Sequence, residues 1–441
     1  MNKNIPIENG LPFIGNLIPY SKDRLNWLND LSQKHGEIFQ VKVGNKKLYV
    51  AVGREYVRHI MVSNSLNYIK KTNFELIFGK SLFTTNGPEW RRQRQLLIPL
   101  MNLRYLENCL PIMDQIIEKN LNAFELSEDN GVNLRNLFSK ITFDIIMSCV
   151  IGVDYEKNYE DIDKGLGVLT SFVTREKYAL FSLPGSLDKE KKEFQYYLGK
   201  LDQVIYESIK KTNKDELPFS FMNQLLEFRE KNPTENISDQ FIRDNIVTVM
   251  FAGYETSALS LSFMMDLLLD NSEWLEKCID ELNAFDKDIN FENLMNLPIT
   301  QACLFESMRL FPAGWGFTRV AKDNDEMGDI KVKSGDIFLV SPFLTQRSKI
   351  YWEEPNKFDP NRFLGKKLTD ELRQIYFPFG AGPRMCSGMN FAQMEMMLIL
   401  LRLFQQYRIK RSGARPEADA RATLLSKNGF QMKIKKVNSH A

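Results

Sequence analysis

Residues 377–388 read Phe377-Pro378-Phe379-Gly380-Ala381-Gly382-Pro383-Arg384-Met385-Cys386-Ser387-Gly388, a loop dense in glycine and proline that runs into an apolar helix from about residue 389 to 404. The cysteine stands at the helix entrance, where backbone N–H groups and the positive end of the helix dipole favour negative charge. That position, with the cation Arg384 two residues away, favours a thiolate, the form of cysteine that ligates metal. The glycines let backbone approach a flat, bulky ligand, and Phe379 stands where it can lie against the ligand plane beside the sulfur. An isolated Cys-x-Gly would read as a buried cysteine in a turn before a helix, so the weight falls on the whole string.

Around this loop, composition sets bounds. At 441 residues the chain exceeds the usual size of one domain, and length alone does not choose between one large domain and two or three. Hydrophobic residues make up 43% and charged residues 26%, which supports a large packed core and excludes wholesale disorder. Lys and Arg total 58 against 56 Asp and Glu, a net charge of +2, so no global field directs the chain to nucleic acid or an anionic membrane. Residues 1–6 lack the segments of a secretory signal, and no membrane anchor precedes the fold, which points to the cytoplasm. Five cysteines, Cys109, Cys149, Cys278, Cys303 and Cys386, are odd in number and far apart, as suits reduced thiols. His35, His59 and His440 are the only histidines and no Cys-x-x-Cys pair occurs, so a tetrahedral zinc site lacks ligands.

Helical periodicity recurs over 90–101, 110–124, 134–151, 194–211, 219–231, 238–268 and 272–285, predicting that about half the chain is helix. Short alternating strands over 36–56 around Gly44-Asn45 predict a hairpin, 318–340 reads as strands again, and 424–436 predicts a last hairpin around Asn428-Gly429. Charged stretches at 189–192 and 229–231 read as solvated faces. With no repeat and no linker, residues 1–441 form one large domain, mainly α with small β-sheets: β-rich parts about 36–56 and 318–340, helical core about 90–310 and 388–405.

Two further stretches carry candidate chemistry. Glu306 and Arg309 share a helix face at i, i+3, which alone is an ordinary ion pair. Within 238–268, Phe251-Ala252-Gly253-Tyr254-Glu255-Thr256-Ser257 interrupts an apolar run of about 45 Å. A membrane span is the rival reading, opposed by Glu255 at mid-helix and by Arg243, Asp244, Asn245 and Asp266. Gly253 removes bulk where a flat cofactor could lie, and Glu255 beside the Thr256 hydroxyl makes a short proton relay. The plainer alternative is a threonine capping a backbone carbonyl.

The 377–388 string matches the signature Phe-x-x-Gly-x-Arg-x-Cys-x-Gly at every specified position, and here the chain resembles the cytochrome P450 family. The family's other motifs follow in its order: Trp90 to Arg94, Ala252 to Ser257, Glu306 to Arg309 and Phe358 to Phe363, where Asn361 replaces the usual Glu but Arg362 is kept. The resemblance implies haem b (iron protoporphyrin IX) held by Cys386, with Phe379 and Gly388 at the ligand loop and Ala252 and Gly253 against the cofactor. It also implies Trp90, Arg94, Arg319 and Arg384 at the propionates, which need donors in an apolar pocket. Thr256 would then hydrogen-bond dioxygen, Glu255 would help deliver protons that split the O–O bond, and the thiolate would push electron density towards that bond. A buried Glu306, Arg309, Arg362 cluster would brace the cysteine loop. Phe83, Phe251, Ala313, Gly314, Trp315 and Phe430 would line the substrate pocket.

The opening Gly10-Leu11-Pro12-Phe13-Ile14-Gly15-Asn16 looks like the family's proline-rich lead-in, without the membrane helix of microsomal members, which implies a soluble bacterial one. The expected reaction is insertion of one oxygen atom of O2 into a lipophilic substrate, such as a fatty acid, a terpenoid or an aromatic intermediate of secondary metabolism. With no fused reductase, NAD(P)H-derived electrons would arrive through a ferredoxin or flavodoxin docking on Arg91, Arg92, Arg104, Lys366, Lys367 and Arg373. The rivals are a peroxide-using or rearranging haem-thiolate enzyme, against which the Glu255-Thr256 pair argues, and a non-catalytic haem or ligand-binding protein.

Overall fold

Thirty-one residues of unbroken helix, Asp239–Leu269, set the frame. Ser238 starts it, its hydroxyl accepting from the Phe241 N–H at 3.1 Å. The helix is long and apolar enough to cross a membrane, yet most of it lies inside the protein. Its polar residues have local work there: Asp244 accepts from the Lys80 N–H at 2.8 Å and Asn245 from the Leu82 N–H at 3.0 Å. They pin the 79–84 turn against the helix, which presents Phe78 and Phe83 to the interior. The computed structural model describes residues 5–123, 131–152, 159–176, 186–211 and 219–437. Residues 1–4, Phe124 and His440, on which the sequence reading touches, lie outside them.

Helix makes up 58% of the chain, and the sheets are minor, as in a single mainly α domain. Helices Leu134–Ile146, Pro298–Leu310 and Met389–Gln406 pack around the long helix and share one extensive apolar core with it. Gly253 belongs to this packing: a Cβ there would stand 2.5 Å from Ile146 Cδ1. Its missing side chain also leaves room for the neighbouring helix, while Gly253 itself lines the internal cavity where the flat cofactor was expected.

The hairpin at 36–56 pairs Ile38–Val43 with Lys46–Ala51 through the two-residue turn Gly44-Asn45. Lys46–Ala51 then runs parallel to Ile337–Val340, and Phe317–Ala321 and Tyr68–Ile69 complete a five-stranded sheet. The last predicted hairpin is different. The chain does turn at Asn428-Gly429, with Gly429 at φ +74, but the strands on either side do not pair with each other. Leu424–Ser426 pairs with Ala418–Ala420, whereas Gln431–Lys436 pairs with Tyr407–Arg411 and Val132–Asn133.

Some helices depart from their sequence pattern. Leu17–His35 bends at Asp23 (φ −155, ψ 74), which scrambles its periodicity. Tyr159–Glu176 carries Gly165 and Gly167, which weaken the local signal. Leu103–Ala123 starts before the expected residue 110, with Pro111 inside it. Cys278 and Cys303 lie 3.5 Å apart, sulfur to sulfur, as buried free thiols, and Cys109 and Cys149 are likewise free and buried.

Candidate active site

The cysteine loop is built by its own backbone. Gly380 N donates to Phe377 O at 2.9 Å, Met385 N to Gly382 O at 3.0 Å and Cys386 N to Phe379 O at 2.9 Å. Gly382, at φ +66, sits against the backbone of Met61, where a Cβ would meet its carbonyl oxygen at 2.0 Å. Cys386 alone among the cysteines is exposed, and the surface it meets is the wall of an internal cavity of about 910 Å³. Burial in the protein pushes its thiol above the ordinary value, with the Gly388 N–H and Arg94 working against that rise. The expected thiolate therefore does not follow from the helix entrance alone, because the desolvation of the sulfur outweighs its donors; a metal ion's own charge deprotonates such a ligand.

Behind the loop lies a charge cluster centred on the fully buried Glu306 and Arg309. Glu306 grips Arg309 with two bonds of 2.7 Å, and Arg362 Nε stands 3.4 Å from Glu306 Oε1. The Asp359 N–H donates to the same oxygen at 2.9 Å, and Arg309 reaches the carbonyls of Gln346 and Pro355 at 2.7 Å each. Gln346 carries the cluster to the loop: its side-chain oxygen accepts from Phe377 N at 2.9 Å.

On the cavity side the chemistry is reversed. Arg319, Arg384 and Lys70 converge at its wall without a carboxylate partner among the described residues. Arg384 donates to Thr85 O at 2.7 Å and Asn86 Oδ1 at 3.0 Å, yet its Nη1 is buried and unsatisfied. Burial holds Arg319 down to about 10, and burial with the neighbouring Arg319 and Arg94 does the same to Arg384. Lys70, pushed well below its ordinary value by burial and by these two arginines, lies 3.4 Å over the Phe83 ring. Sequence reasoning missed Lys70, because a lysine at a strand end carries no signal until the fold brings the arginines to it. Trp90 lies under the Arg384 guanidinium at 4.4 Å, and Arg94 stands 5.8 Å from the same ring. The donor set fits a flat group bearing two carboxylates, with the Cys386 sulfur available beside it and Phe379, Ala252 and Gly388 on the same wall.

The long helix supplies the polar residues of the wall. Thr256 Oγ1 donates to Ala252 O at 2.7 Å, the backbone-capping bond of the plainer alternative, and the residue also lines the cavity. Glu255 turns away from Thr256: Oε1 accepts from Arg135 Nη2 at 2.9 Å and Oε2 from Thr423 Oγ1 at 2.8 Å. Neither partner is visible in the sequence as one.

Phe83, Phe251, Ala313, Gly314 and Trp315 all line the cavity. Phe430 does not: it is fully buried, edge-on to Phe263 at 5.0 Å between centroids, and the turn Arg421-Ala422-Thr423 takes the wall position expected of it. The mistaken strand pairing at Asn428-Gly429 is the cause. Arg92, expected on an exposed basic patch, is instead held by Glu89 and Glu235, each at 3.7 Å.

The family model described as Cytochrome P450 matches residues 5–434. Among curated proteins the chain is 25% identical over 438 residues to Protein LUTEIN DEFICIENT 5, chloroplastic, of Arabidopsis thaliana, covering 93% of this chain and 73% of that one. It is 26% identical over 430 residues to Cytochrome P450 3A31 of Mesocricetus auratus, covering 92% and 86%. Among solved structures, the cytochrome P450DA heme domain superposes with a TM-score of 0.88 at 19% identity, covering 100% of this chain and 99% of that one.

Proposed function

The chain belongs to the cytochrome P450 family and is a haem-thiolate monooxygenase, and from that premise we propose that it inserts one oxygen atom of O2 into a lipophilic small molecule by hydroxylation or epoxidation. The observation that carries this reading is one cavity bordered at once by a cysteine sulfur, cations without a carboxylate partner among the described residues, and an apolar wall. When bound, haem with a thiolate ligand supplies the reductive activation of dioxygen, with electrons derived from NAD(P)H. Cys386 holds the iron. Trp90, Arg94, Arg319 and Arg384, joined by Lys70, hold the propionates.

Thr256 presents a hydroxyl to the cavity, and Glu255, once turned towards it, would pass it protons from solvent. The aromatic wall is continuous: Phe78 packs against Phe74, Phe83 and Phe251 at centroid distances of 5.2, 5.5 and 5.1 Å. Such a wall orients an apolar substrate and excludes water from the reacting centre. Electrons come from a ferredoxin or flavodoxin, in the cytoplasm. Arg91, exposed beside a surface depression formed with Pro99 and Pro383, belongs to its docking face with Arg104, Lys366, Lys367 and Arg373.

The test is turnover under ¹⁸O₂ with NADPH, a ferredoxin reductase and a ferredoxin, screening substrates first by spin-state change. Product carrying one ¹⁸O is expected; product formed only with hydrogen peroxide would replace this reading by the peroxide-using one.

A further inference from the structure

The Glu255 carboxylate joins three segments of chain. Arg135, on one side, lies in the first turn of helix Leu134–Ile146, where Asn133 caps the helix by accepting from Arg135 N at 3.2 Å. Asn133 also accepts from the Phe430 N–H at 3.3 Å, and Leu134 N donates to Phe430 O at 2.9 Å, so the arginine is fixed to a buried strand end. Thr423, on the other side, lies in the turn between Ala418–Ala420 and Leu424–Ser426. That turn is part of the cavity wall. Trp315 Nε1 donates to Arg421 O and Leu424 N to Ala313 O, both at 2.9 Å, so the turn moves with the wall residues Ala313 and Trp315.

The two bonds on Glu255 differ in kind. The Arg135 bond is charge-assisted and anchored in a capped helix, whereas the Thr423 bond comes from a neutral hydroxyl on a turn that fronts the cavity. Of the two partners, only Thr423 is part of the cavity wall. We propose that Thr423 is a positioning residue: its hydroxyl holds Glu255 Oε2 turned away from Thr256, and an occupant that presses on the 421–423 turn releases it. Proton delivery is thereby tied to occupancy. The released carboxylate takes a proton from solvent and passes it on towards the Thr256 hydroxyl, which returns it to the ionised form. This rests on the reading of Glu255 as the proton donor.

Thr423→Val removes the hydroxyl at nearly constant volume, and Thr423→Ser keeps it. In the substrate-free holoenzyme with NADPH, ferredoxin reductase and ferredoxin, Thr423→Val is expected to raise NADPH consumption about tenfold, what one hydrogen bond to a charged group is worth. Its solvent isotope effect should shrink, and Thr423→Ser should stay native-like in both. A readout without turnover comes from melting: the Tm losses of Thr423→Val and Glu255→Gln are expected to be less than additive in the double variant, because each removes the same contact. Native-like NADPH consumption in Thr423→Val would overturn the proposal, as would equal losses in Val and Ser, which mean only a damaged turn. Native-like proton dependence in Glu255→Gln would instead remove the donor role of Glu255 and with it the premise, whatever Thr423 does.

Discussion

Two buried sets of charge lie on opposite sides of the cysteine loop, and they are built on opposite plans. Around Glu306 opposite charges meet inside the fold: a carboxylate between two arginines accepts a backbone N–H, and Arg309 reaches backbone carbonyls, with side-chain exposures of 0% for Glu306 and Arg309. Around Arg319 the charges among the described residues are all positive, burial lowers each of them, neighbouring arginines lower Lys70 and Arg384 further, and Arg384 keeps a buried nitrogen without a partner. A self-answered cluster braces structure, whereas an unanswered one marks where the chain meets something it does not itself contain.

The comparison breaks most readily at Glu306. Glu306→Ala leaves two buried guanidinium groups facing each other, and the expected loss is about 3–5 kcal/mol of stability, read as a lowered Tm and poor haem content. A protein that folds and retains haem as before would mean that the cluster braces nothing. Arg319→Met should behave oppositely: Tm unchanged or raised, because a lone buried cation is replaced by an apolar chain, but haem lost to excess apomyoglobin about tenfold faster or more, the worth of one hydrogen bond to a charged group. Equal damage to Tm in both variants would erase the distinction between the two regions.

Glu395 is a smaller case of a buried charge left without an ion-pair partner. Burial pushes its carboxyl up to about 8, with the Ser257 hydroxyl opposing the rise in part. Its folded pKa lies above its unfolded one, so the stability from the neutral form is full below the unfolded value and lost as pH rises through about 8. Glu395→Gln, neutral throughout, should therefore melt near the native protein at pH 5 and above it at pH 9. The smallest effect is expected at the surface, where Arg91→Glu should slow reduction by the donor protein severalfold at low salt and leave substrate affinity unchanged.

What the sequence could and could not disclose follows the same division. Cys386, Thr256, Glu306 and the Trp90 helix sit in contiguous strings whose order along the chain is itself informative, and the fold class followed from them and from helical periodicity. Contacts made across long sequence separations were hidden: Lys70 with Arg319, Arg135 and Thr423 with Glu255, Arg92 with Glu235. The Phe430 misplacement shows how one wrong strand pairing moves a residue from cavity wall to core, since register decides which face a side chain takes.

The central claim is that Cys386 holds a haem iron as a thiolate, and the absorption spectrum of the purified, dithionite-reduced protein with and without carbon monoxide tests it most directly. The account predicts a Soret band far to the red of a histidine-ligated haem, lost together with most of the haem in Cys386→Ala. A band at the ordinary histidine-like position, or a native protein that takes up no haem, would contradict it.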